Sequence, residues 1–419
     1  MARAQPKPAG VTRVVIVGAG FAGLSAARAL KNENLEVVVV DRTNHHLFQA
    51  LLYQVASAGL SPAEVATPVR ALLGKQKNAS VRMGEVTAVL SDERALMLDG
   101  HTRLEYDYLI LAVGVKSSYF GHPEWAVHAP GLKSAAEAVT IRESVLLGFE
   151  KAEGEKDPAM REKLMTTVVV GGGPTGVELA GAFAELRRHV LRWDFRQIRP
   201  EQARVVLIEA GERILSGYSS KLSASARKHL ERLGVEVWLG ERVESVEEGR
   251  VATRSRSVEA RTVVWTAGVQ ATELTRTLPS EHDRVGRVQI APDLRLSDRV
   301  YCAGDMTSLN GLPGMAPVAM AQGAHAARNV LREIKGQEPI PFRYREREHI
   351  ATLGRSAAVF QWGWLQLTGL PAWLAWLWLH LFRIADLQNR ALVFARWTWS
   401  YLTWKWGVRL IIGRQKSKP

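Results

Sequence analysis

A glycine-spaced turn occurs twice in this chain, in the same local setting, about 150 residues apart. The stretch "VTRVVIVGAGFAGLSAARAL" runs from β-branched residues into Gly18-x-Gly20-x-x-Gly23 and on into an Ala/Leu-rich helical composition. "TTVVVGGGPTGVELAGAFAEL" repeats that order with Gly171-x-Gly173-x-x-Gly176. A strand that enters a glycine turn and leaves as a helix suits a pyrophosphate. The glycines allow a tight turn and close backbone approach, and the helix N-terminus faces the charge. In each repeat the next strand ends in an acid, Asp41 (followed by Arg42) and Glu209, where a carboxylate reaches a ribose hydroxyl. An acid there favours NADH over NADPH, a preference that the nearby Arg213 moderates. Glu209 follows Gly176 by 33 residues, which predicts that the second helix continues through "RRHVLRWDFRQIRP".

Two such turns imply two dinucleotides, read as non-covalent FAD at the first and NADH at the second. Two further apolar strands close on small residues where backbone must pass close to a cofactor: "YDYLILAVG", with Ala112 and Gly114, and "RTVVWTAGV", with Gly268. With FAD beside NADH, hydride passes from nicotinamide to flavin. Cys302 is the only cysteine, so neither a disulfide redox pair nor a cysteine zinc site can form, and an apolar strand makes it a core residue. The electrons therefore leave for an outside acceptor: a quinone, a small redox protein or oxygen. His45 and His46 are adjacent and need not converge, and no cluster has metal spacing, so no metal is expected. "MARAQPKPAG" lacks the apolar core of a signal peptide, so secretion is not expected.

The blocks "NHHLFQALLYQVASAGLSPAEVATPVR", "GGGPTGVELAG" and "APVAMAQGAHAARN" resemble the type II NADH dehydrogenases, non-pumping, membrane-associated NADH:quinone oxidoreductases. The resemblance runs from about Arg13 to Ile412 and includes the C-terminal segment. It implies an α/β fold of two Rossmann-like domains, glutathione-reductase-like, with the NADH domain (121–284) inserted in the FAD domain (12–120 and 285–342). It also implies that Asp305, in "RVYCAGDMTS", meets the ribityl chain of the flavin. Glu178 would sit by the nicotinamide–flavin contact and help move protons to the quinone; otherwise it only complements its helix N-terminus. Gln322 would lie at the quinone's approach to the flavin, or serve as a structural hydrogen-bonder. The chain departs from the family pattern at Ala50, where proline is frequent, and at Ala321, where a second glutamine commonly precedes Gln322.

The C-terminal region, 343–419, is different in kind. Seven of the thirteen tryptophans fall between Pro371 and Trp406, and from Arg343 onward twelve Lys/Arg face three Asp/Glu. No Asp, Glu, Lys or Arg occurs between Arg355 and Arg383, but Gly363, Gly369 and Pro371 interrupt that run. The segment around Phe360, Trp362 and Trp364 alternates like a strand, and only Ala372–Phe382 remains as uninterrupted helix, too short to span lipid. A second helix, about Arg390 to Arg409, carries two apolar stripes on opposite sides. One holds Val393, Trp397, Tyr401, Trp404 and Val408. The other holds Leu392, Trp399, Leu402, Trp406 and Leu410. One face would dock on the protein or on a second subunit, so a homodimer stays open. The other, with Arg396 and Lys405 at its edges, would enter an anionic lipid surface through residues 371–412. The expected place is peripheral, on the cytoplasmic face of the inner membrane. A soluble reductase of a small electron carrier and a non-catalytic NADH sensor share the nucleotide sites and remain as alternatives. Nucleic acid is not an expected partner, since no binding module is evident.

Overall fold

The computed structural model describes residues 10–345, 349–403 and 408–411, and the chain divides into two compact units. The first holds the described residues up to Leu47, Thr67–Lys116 and 269–345. Its sheet runs in the order Arg295–Ser297, Val300–Cys302, Tyr108–Leu111, Arg13–Val17, Glu36–Asp41, Ala79–Met83. All pairs are parallel except the first, and Ile16 lies between Val39 and Ile110 in register. Parallel strands covered on both faces read as unbroken apolar runs, and "RVVIV" is buried at every position. Cys302 is fully buried here among Leu109, Leu111 and Met306, and burial pushes its thiol far above the usual value, as expected of a core residue.

The second unit holds Phe48–Ala66, Ser117–Gly268 and the described residues from 349 on. Its parallel sheet has the order Val235–Leu239, Val205–Glu209, Thr167–Val170, Thr262–Trp265. Val243–Glu247, Arg250–Thr253 and Ser257–Glu259 form a separate antiparallel sheet. His349–Thr352, Ala358–Trp362 and Leu365–Gly369 form a third, followed by two helices, Leu370–Arg383 and Leu387–Thr403. The helix Pro174–Glu185 packs against the first of these strands through Gly181, where a Cβ would crowd the Gly354 amide at 2.9 Å.

Four local expectations are corrected. The helix after the second glycine turn does not continue to Pro200. It passes at Leu186 into one π-helical turn, Leu186–Val190, and the chain then runs irregularly to Pro200. The alternating segment is a hairpin rather than one strand. Trp362 pairs with Leu365 across a turn at Gly363 (φ +55°) and Trp364. The last helix spans Leu387–Thr403 rather than about 390–409, and Val408–Ile411 are not helical. Arg396 does not stand free at the helix edge. It pairs at 2.6 Å with the carboxylate of Glu64, which is only 8% exposed and caps the short helix Pro62–Val65. On the two stripes, Val393 and Trp397 are buried while Leu392 and Trp399 are exposed. Trp404, Lys405, Trp406, residue 412 and the side chains of Tyr401 and Leu402 lie outside the described residues.

Within the first unit, the helix Phe21–Ala29 lies against the helix Ala316–Ile334 through glycine and alanine. A Cβ at Gly323 would overlap the Ala22 carbonyl, and Ala22, Ala112, Ala303 and Ala319 form one small-residue cluster. Because the obstruction is backbone, Gly323→Ala is expected to destabilise the protein by about 1–3 kcal/mol or more. A lowered thermal midpoint of the purified protein, relative to Gly154→Ala at the open end of the helix Ala135–Gly154, checks this.

Candidate active site

In the first glycine turn, Gly18 adopts φ +100°, and a Cβ there would overlap the carbonyl oxygen of Ala112. A Cβ at Gly23 would likewise overlap the carbonyl of Gly18, so helix and strand cross with no side chain between them. Gly20 differs: nothing lies within 4 Å of where its Cβ would be. It is the N-cap of Phe21–Ala29, no side chain caps that helix, and its first turn has no acid. The open cradle and the uncapped amides fit a pyrophosphate. Asp41 accepts the Ala19 amide at 2.7 Å on one oxygen and the Thr43 amide and hydroxyl on the other, and keeps lone pairs for a ribose hydroxyl. Arg42 is exposed beside it. His46 donates from Nδ1 to the Ala19 carbonyl at 2.8 Å, and burial holds its pKa below the usual value, so it acts as a neutral strut.

Gln322 is 2% exposed and faces inward. Its amide oxygen accepts the Gly304 N–H at 2.7 Å and the Thr307 hydroxyl at 3.4 Å. It thereby holds the turn that carries the half-buried Asp305. Gly114 (φ +66°) has open space on its Cβ side, as a close backbone approach requires.

The second turn repeats the first. Gly171 has φ +110°, a Cβ at Gly176 would overlap the Gly171 carbonyl, and Gly173 is open. The helix Pro174–Glu185 starts at Gly173 without a side-chain cap. Glu209 accepts the Gly172 amide at 2.6 Å and the Gly211 amide at 2.7 Å. Gly268, at φ +72°, follows the buried strand Thr262–Trp265. The residues present at both turns fit a dinucleotide.

Glu178 lies one turn into the second helix and is buried. Burial is the main cause that raises its pKa to about 8, opposed by hydrogen bonds from the Thr352 amide (3.3 Å) and side chain. The Thr352 hydroxyl is 3.0 Å from the Tyr53 hydroxyl. Gln54 donates from its amide nitrogen to Tyr53 at 3.0 Å and accepts the Trp397 indole N–H at 2.8 Å. Two helical turns past Glu178, Glu185 is also buried, and burial raises it to about 7 against the pull of Arg355, whose backbone N–H it accepts.

Beside these groups lies a cavity of about 70 Å³, lined by Tyr53, Gln54, Glu185 and Thr352 on one side and by Trp373, Trp376 and Trp397 among others. It is far larger than the roughly 10–15 Å³ that one water needs. Trp376 is 2% exposed, and its indole N–H has no hydrogen-bond partner among the described residues. A buried donor without a protein partner, on a residue that lines the cavity, is satisfied by a water or by a ligand acceptor. Tyr53, Gln54, Thr352, Glu185 and Trp376 were not among the candidates drawn from the sequence. The spacing of seven between two acids on one helix was a signal for Glu185; nothing local marked Thr352.

The pyridine nucleotide-disulphide oxidoreductase family matches residues 12–323. A type II NADH:quinone oxidoreductase of Mycobacterium tuberculosis is 40% identical over 96% of this chain and 91% of its own. One from Haemophilus influenzae is 26% identical over 83% of this chain and 86% of its own. Among solved structures, NDH2 of Plasmodium falciparum in complex with NADH aligns with a TM-score of 0.87 at 18% identity, over 96% of this chain and 100% of that one. The sulfide:quinone oxidoreductase of Aquifex aeolicus aligns at 0.71 and 16% identity, over 96% and 92%. The fold is thus the two-dinucleotide flavoprotein fold, and a match over 96% of the chain reaches into the tryptophan-rich C-terminal region.

Two outcomes follow from this geometry. Gly20→Ala adds a methyl to open space, so it should leave the thermal midpoint of the apoprotein nearly unchanged while weakening FAD retention on dilution; Gly23→Ala should fail at folding. Glu178 and Glu185 hold protons in the folded state that the unfolded chain releases above about 4.5. Stability should therefore fall as pH rises from about 4.5 to about 8, by an amount on the order of a few kcal/mol. Glu178→Gln should flatten the upper part of that fall in melts recorded against pH.

Proposed function

The chain belongs to the pyridine nucleotide-disulphide oxidoreductase family and, within it, to the type II NADH:quinone oxidoreductases, and we propose that it reduces its quinone in the tryptophan-lined cavity of the second unit, at a lipid surface. The overall reaction is transfer of a hydride from NADH to FAD and of two electrons onward to a quinone, without proton pumping. FAD, when bound, supplies the electron relay between the two. The observation that carries the placement is the cavity itself. Three indoles line it and give it an aromatic wall suited to a planar ring, the unpartnered Trp376 N–H is a donor for a quinone carbonyl, and Glu185 brings a carboxyl that titrates near neutrality.

The helix that walls the cavity also supports a membrane reading. Trp373 and Trp376 face inward, whereas Leu370, Leu374, Trp378 and Phe382 recur every four residues on the other side and are 45–59% exposed. Trp364 at the hairpin tip is 91% exposed, and Trp399 and Leu392 are exposed on the last helix. No described helix is long and apolar enough to cross a bilayer. An apolar face of this kind beside a basic C-terminus fits a monotopic anchor on an anionic leaflet, with the quinone entering from lipid. The cytoplasmic face of the inner membrane, where NADH is at hand, is the consistent side.

In this reading the glycine turns, with Asp41 and Glu209, hold the two dinucleotides, and Asp305 meets the ribityl chain. Glu178 holds a proton beside the nicotinamide end of its helix. Gln322 is a positioning residue, because its amide oxygen is already used to fix the Gly304–Thr307 turn. Replacing Trp378 and Phe382 together by Glu should lower binding to anionic liposomes at least tenfold, since each large apolar side chain is worth about 1.5–3 kcal/mol on burial. Turnover of NADH with a water-soluble short-chain quinone should stay within about threefold. Liposome sedimentation unchanged by the double substitution would remove the lipid-facing assignment.

A further inference from the structure

Trp397 fixes the direction of a hydrogen-bonded chain. Its indole N–H can only donate, so the Gln54 group facing it at 2.8 Å is the amide oxygen. The Gln54 NH₂ then faces Tyr53, whose oxygen accepts at 3.0 Å. The Tyr53 and Thr352 hydroxyl oxygens lie 3.0 Å apart, where either can donate to the other, and both residues line the cavity. Thr352 in turn meets the Glu178 carboxyl with both its amide and its side chain. Glu178 does not line the cavity, so its proton needs a carrier to get there.

We propose that Thr352 and Tyr53 form a two-hydroxyl relay that delivers the Glu178 proton to the oxygen of a quinone ring held in the cavity. This rests on the assignment of the cavity as the quinone site. NADH contributes two electrons and one proton as hydride, and a quinol needs two electrons and two protons. The second proton is the one moved here. The carboxyl O–H of Glu178 breaks as a bond forms to the Thr352 oxygen. The Thr352 hydroxyl, which donates to Glu178 when that group is a carboxylate, turns to the Tyr53 oxygen when Glu178 is protonated; its proton then passes to Tyr53, and the Tyr53 proton passes to the ring carbonyl. Glu178 is left as a carboxylate, which takes its next proton from solvent before the following turnover. The raised pKa of Glu178 keeps that proton in place at neutral pH until it is drawn. Tyr53 is the group that touches the ring; Thr352 acts through it.

Thr352→Val keeps shape and removes the hydroxyl, and Thr352→Ser restores it. Three quantities are read for each: bleaching of the flavin by NADH, quenching of tryptophan fluorescence by a short-chain quinone, and reoxidation of the bleached flavin by that quinone in H₂O and D₂O. In Thr352→Val, bleaching and quenching should match the wild type, while reoxidation slows by about 10²-fold. Its solvent isotope effect should change, and Thr352→Ser should recover to within a few-fold. Tyr53→Phe should show the same slowing. Reoxidation of Thr352→Val at the wild-type rate would overturn the relay and leave the cavity assignment standing. Loss of quenching in step with reoxidation would reduce Thr352 to a structural role and also overturn it. A wild-type protein that is reoxidised by quinone without any tryptophan quenching would overturn both.

Discussion

In both nucleotide folds, backbone meets backbone where no side chain fits. Gly23 against Gly18 and Gly176 against Gly171 bring each helix onto its strand at a separation that a single methyl would prevent. This sets the start of the helix, and the start of the helix sets where its amides point. In the second unit the same contact fixes more than a phosphate cradle. The helix that begins at Gly173 carries Glu178 and Glu185 on one face, and Gly181 lets that face sit directly on the strand His349–Thr352. The distance between a nucleotide turn and two buried carboxyls is therefore a fixed number of helical turns.

Burial costs those carboxyls their charge, and the protein leaves part of that cost in place. Glu178 gains two bonds from Thr352 and Glu185 one from the Arg355 amide, too few to restore ordinary acidity. Structural ion pairs elsewhere in the second unit behave differently: Arg204 is bracketed by Glu162 and Glu236, and Glu236 is held below its usual value. The contrast separates carboxyls kept ready to hold a proton from those that only tie strands together.

How much of this was legible follows from the range of each interaction. The glycine turns, the terminal acids Asp41 and Glu209 and the shortness of the described C-terminal helices against a bilayer all depend on residues close in sequence, and periodicity reads them. The inner and outer stripes of the last helix, Val393 and Trp397 against Leu392 and Trp399, were legible for the same reason. Thr352 was not, because its meaning comes from Tyr53 and Glu178, each more than 170 residues away. Arg396 misled because a charge on an amphipathic edge looks solvated until the buried partner, Glu64, is known. Gln322 sits on a helix whose small residues gave no sign of which side faced the turn at Gly304.

The last helix is held to the protein by a polar seam: Arg396 to Glu64, Trp397 to Gln54, and Asn389 to the Ala63 carbonyl. The residue that anchors its inner face is also the one that orients the amide beside Tyr53. Lipid on the outer face and a ring in the cavity would thus act on one element from opposite sides. Thermodynamic reciprocity then requires that whatever bilayer contact adds to ring affinity, ring occupancy adds equally to bilayer affinity. The fraction of the enzyme resting on a membrane would become a readout of how much oxidised or reduced carrier that membrane contains.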